Sequence, residues 1–65
     1  MSVAGERVQR LWLEANEENI DASWSEAQAL VDELDENERG YLEGLAMVRD
    51  VLLRQRATGL AAGTP

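Results

Sequence analysis

Residues 40–56 read GYLEGLAMVRDVLLRQR, and the fold turns on how much of this helix is apolar. At about 100° per residue, Tyr41, Leu45, Val48 and Leu52 form a stripe with spacings of four, three and four, the a/d alternation of a helix seam. Leu42, Ala46 and Leu53 widen it on one side, and Gly44, Met47 and Val51 on the other. Only Arg39, Glu43, Asp50 and Arg54 make a clearly polar edge. So broad an apolar arc needs cover from more than one direction. Two short preceding helices can cover one stripe, and the surplus is expected to meet another chain.

The sequence therefore predicts an all-α fold. One small domain spans residues 1–56, with two short helices and one longer C-terminal helix, assembling as an antiparallel helical homodimer. Its expected interface comprises Tyr41, Leu45, Met47, Val48, Arg49, Val51, Leu52 and Leu53. Residues 1–48 carry a charge balance of -9 and residues 49–65 one of +2. An antiparallel pair of third helices would bring Glu36, Glu38 and Glu43 near Arg49, Arg54 and Arg56 of the other copy.

Upstream, the third helix is expected from about Glu36 to Arg56, with Asp35 as its N-cap and acidic residues in its first turn. Arg39 with Glu43, and Asp50 with Arg54, are spaced for i, i+4 ion pairs. Gly40 and Gly44 each cost about 1 kcal/mol relative to alanine inside a helix. They imply either a later helix start or close approach by another backbone. Ser23-Trp24-Ser25-Glu26 has the spacing of a capping box, which predicts a second helix starting there with Trp24, Ala27, Leu30, Val31 and Leu34 inward. In the first helix, Val8, Leu11, Trp12 and Ala15 share a face, and the acidic run EANEENID reads as its fraying end and a connection. After Arg56, ATGLAAGTP lacks periodicity, so residues 57–65 are expected to be a flexible tail.

Composition narrows the function classes. The 65 residues include no cysteine, histidine, lysine or phenylalanine. That removes disulfide staples, thiolate metal ligands, thiol nucleophiles and the usual proton shuttle. A chain this small often needs an external staple, and another protein chain is what remains. Thirteen acids against six arginines leave a net charge of -7, which argues against a nucleic-acid partner. Arginine as the sole cation suggests a GC-rich bacterial genome. No apolar run approaches the roughly 20 residues of a membrane span, and MSVAGERVQR lacks the apolar core of a secretory signal, so a soluble cytoplasmic protein is expected.

Three patterns bear on chemistry. Glu14, Glu17, Glu18 and Asp21 would line one side of a continued helix, where carboxylates can hold a hard cation or exchange protons. The di-metal bundle pattern also requires Glu-x-x-His, however, so a solvated acidic face is expected instead. Residues 35–46 place Asp35, Asn37, Gly40 and Leu42 as in an EF-hand loop, but Arg39 takes the fifth ligand position and Ala46 that of the bidentate glutamate. Trp12 and Trp24 stand at core spacing, though tryptophan also anchors interfaces.

Glu18-Asn19, followed by Ile20-Asp21, resembles the end of the inhibitory Ser/Thr-x-x-x-Glu-Gly/Asn motif of the small helical antitoxins that silence Fic-domain AMP-transferases. The match covers a few residues, and Glu14 stands at the Ser/Thr position. The resemblance implies that Glu18 would be the inhibitory residue. The residues as a whole favour a non-catalytic, acidic protein–protein interaction module, homodimeric and regulatory or accessory, without cofactor or metal. The alternative is a small inhibitor, either antitoxin-like or a mimic of nucleic-acid charge.

Overall fold

Ser2 caps the first helix: its hydroxyl oxygen accepts from the Gly5 N–H at 3.0 Å, satisfying a donor that the first turn leaves unpaired. The computed structural model describes residues 2–62. Helix α1 spans Val3–Glu14, α2 Ile20–Ala29 and α3 Arg39–Ala62, with a 3-10 turn at Val31–Glu33 between α2 and α3. The described residues contain no strand, so the all-α, three-helix expectation holds.

Two contacts fix the course of the helices. Ser2 binds Glu38, which places the starts of α1 and α3 side by side. At the other end, Arg56 donates to Asp21 at 3.1 Å and to the Glu17 carbonyl. Thus α1 and α3 run the same way and α2 returns between them. Ala4, Val8 and Leu11 of α1, Ile20 and Ala27 of α2, Leu34 of the connection and Leu45 of α3 form the core. Trp12, Trp24, Tyr41, Leu42, Leu52 and Leu53 pack around it, partly buried.

The end of α1 is tied rather than frayed. Asn16 Oδ1 accepts from the Glu18 and Asn19 N–H groups, both at 2.9 Å, while Asn19 Oδ1 accepts from the Asn16 N–H at 2.8 Å. Asn19 Nδ2 also donates to the Glu14 carbonyl. This reciprocal pair caps the following turn and the end of α1 together, as a capping box does with Ser and Glu. It also corrects the expected start of the second helix. Helix α2 begins at Ile20, ahead of Ser23, whose N–H already bonds the Asn19 carbonyl at 2.8 Å. Ser23 is buried within the helix, and Glu26 turns away to pair with Arg7. The physical reason is Ile20: burying it completely brings the helix start into the segment read as an acidic connection.

The expected cap forms on the turn that leads into α3, which begins at Arg39 rather than at about Glu36. Asp35 Oδ1 accepts from the Glu38 N–H at 2.8 Å, and Glu38 Oε1 accepts from the Asp35 N–H at 3.0 Å. The second oxygen of Glu38 accepts from the Ser2 N–H at 2.7 Å and from its hydroxyl at 2.8 Å. One carboxylate, only 4 % exposed, therefore ties the start of α1 to the turn that leads into α3. A Cβ at Gly5 would overlap this carboxylate, so glycine allows α1 to lie against it. These donors hold the Glu38 carboxyl below its ordinary pKa.

Helix α3 is the long element, about 36 Å at 1.5 Å per residue. The molecule measures 48 × 16 × 16 Å, with a radius of gyration of 13.3 Å where a compact chain of this length would have about 11 Å. The expected boundary at Arg56 is corrected: α3 continues to Ala62, because alanine and leucine sustain a helix and no proline intervenes before Pro65. Residues 63–65 of the expected tail lie outside the described residues.

Candidate functional site

The eight residues expected at an interface divide into two faces of α3. Leu45 is fully buried and belongs to the core of the single chain. Tyr41, Leu52 and Leu53 pack against that core, and Val48 is also partly buried. Arg49 lies over the Trp24 ring, 5.1 Å from its centroid, a cation–π arrangement. Its buried Nε has no hydrogen-bond partner. Met47 and Val51 face outward, 72 % and 49 % exposed.

Helices α1 and α2 thus cover the stripe centred on Leu45 and its flank through Leu53. They leave the flank of Met47 and Val51 open. With Gly40 and Gly44, these two residues run along α3 at spacings of four, three and four. The two glycines differ. A Cβ at Gly40 would meet nothing within 4 Å, whereas one at Gly44 would stand 2.8 Å from two atoms of the Trp12 ring. Close approach at Gly44 is therefore by an indole of the same chain. That indole also meets the Tyr41 ring, with centroids 6.2 Å apart. Two further apolar side chains, Val3 and Leu13 on α1, stand in the open. Both lie off the inward face of α1, so helical spacing alone marks them as outward.

The charges are less free than the sequence implies. Asp50 and Arg54 form their expected pair at 2.7 Å, while Arg39 and Glu43 do not close theirs. Arg7 binds Glu26 through two nitrogens, which lowers the Glu26 pKa and raises that of Arg7. Of the charges expected to meet across a dimer, Glu38 is committed to the caps, Arg49 to Trp24 and Arg56 to Asp21. Glu36, Glu43 and Arg54 remain on the surface.

The acidic set Glu14, Glu17, Glu18 and Asp21 lies across the break between α1 and α2 rather than along one helix. Its register is lost because Ala15 leaves the helical conformation. Glu18 stands exposed in the turn, and its neighbour Asn19 is occupied by the cap. Asp35 caps the turn that leads into α3, so its carboxylate is engaged by a backbone N–H. No three acidic side chains converge among the described residues. Comparison with known protein families, with curated proteins and with solved structures finds no match for this chain.

Proposed function

We propose that this chain is a non-catalytic, acidic helical interaction module that works as a homodimer, in a regulatory or accessory role in the cytoplasm. One observation carries the reading: Met47 and Val51 occupy the middle of the longest helix and remain in solvent although α1 and α2 have both packed on it. Exposing them leaves surface whose burial would gain about 25 cal/mol per Å². A second copy is the partner always present, and a two-fold pair is the commonest closed assembly.

Two further facts agree. No helix among the described residues is long and apolar enough to cross a membrane. The chain's charge of -7 opposes nucleic acid. Equilibrium sedimentation across a range of concentrations tests the proposal. A dimer at high micromolar concentration that dissociates on Met47→Glu supports it, and a folded monomer throughout overturns it.

A further inference from the structure

Resting on that reading of the uncovered strip, we infer that two copies pair antiparallel along α3, about a two-fold axis between Met47 and Val51. The strip consists of Gly40, Gly44, Met47 and Val51, followed at the same seam spacing by Arg54 and Thr58. In an antiparallel pair centred between Met47 and Val51, Met47 of each copy meets Val51 of the partner subunit. Gly40 faces Thr58 of the partner subunit, and Arg54 comes beside Gly44 of the partner subunit, which the indole of its own chain already covers.

The exposed charges favour the same direction. Glu43 lies on the flank of the strip to which Arg54, at the strip's edge, is nearest, and both are in solvent. The antiparallel arrangement sets Arg54 within one residue of Glu43 of the partner subunit on that flank, twice by symmetry. Asp50, already 2.7 Å from Arg54, joins each cluster. A parallel pair would instead bring Arg54 at the edge of the strip toward Arg54 of the partner subunit, and would leave Glu43 several turns from Arg54 of the partner subunit. Like-charge juxtaposition selects against that alternative. Because Glu38, Arg49 and Arg56 are engaged within their own chain, direction rests on Glu43 and Arg54 alone.

The chain has no cysteine, so single engineered thiols report the arrangement cleanly. Met47→Cys and Val51→Cys chains, both altered at exposed positions, are mixed in equal amounts and oxidised, with helicity checked by circular dichroism. The mixed disulfide should exceed its statistical share. Homodisulfides, a statistical mixture, or no cross-link from a sample that sediments as a dimer would overturn the antiparallel arrangement while leaving self-association intact. A sample that sediments as a monomer would overturn both.

Discussion

Replacing Gly44 by alanine sets two effects of known sign against each other. Alanine favours a helix interior by about 1 kcal/mol over glycine. The new Cβ would stand 2.8 Å from Trp12 Cε2 and Cζ2 and 3.1 Å from Cδ2, where carbon atoms prefer about 3.5–4.0 Å. The indole must retreat by roughly 0.7 Å or more, and Tyr41 lies against it. Overpacking of this kind costs about 1–3 kcal/mol, so Gly44→Ala should be neutral to destabilising by about 2 kcal/mol. Gly40→Ala, one helical turn away with nothing within 4 Å, should gain up to about 1 kcal/mol. Gly40 lies in the first turn and gains less from propensity than the interior Gly44, so a less favourable change at Gly44 than at Gly40 is a difference that only the contact with Trp12 produces. Urea unfolding followed by circular dichroism, in a Met47→Glu background that removes any contribution from a second copy, gives that difference. Equal stabilisation by both substitutions would refute the packing of Trp12 on Gly44.

Glu38→Gln tests the shared cap through its pH dependence. The folded-state pKa of Glu38 is depressed, so its contribution is full above the ordinary value of about 4.3 and is lost as pH falls through the folded value. The variant should be less stable near neutrality and should lose less stability on acidification, as read by denaturation curves at several pH values. An unchanged pH profile would count against the Ser2–Glu38 contact. Asn16→Ala should cost about 1 kcal/mol by removing the acceptor for two backbone donors, whereas Ser23→Ala should leave the start of α2 intact in amide exchange. Ile20→Ala should cost about 2–5 kcal/mol in thermal or urea unfolding, as for other fully buried aliphatic side chains.

Helix α3 is legible in the sequence because its pattern is long, although Asp35 and Glu38 cap the turn before it and the helix itself starts at Arg39. The start of α2 was misplaced for a reason of scale. Ser23 and Glu26 have capping-box spacing, but the gain from a cap is about 1 kcal/mol, while burying an isoleucine gives about 1.5–3 kcal/mol. Ile20 sits alone among acids and asparagines, with too few apolar neighbours to mark a face. The tie between Ser2 and Glu38 joins residues 36 positions apart, which no local spacing can show. For the interface, periodicity identified a helix with surplus apolar surface but not which flank the first two helices would take. Leu45 went to the core and Met47 and Val51 stayed outside, a division set by tertiary packing.

Self-association requires that a second copy cover the strip through Met47 in solution. The rate at which dilute peroxide oxidises the Met47 thioether, followed by mass spectrometry of its peptide at rising chain concentration, tests this most directly. Covering by a second copy should slow oxidation as concentration rises and restore the rapid rate on dilution. A rapid rate that is the same at every concentration would contradict the claim.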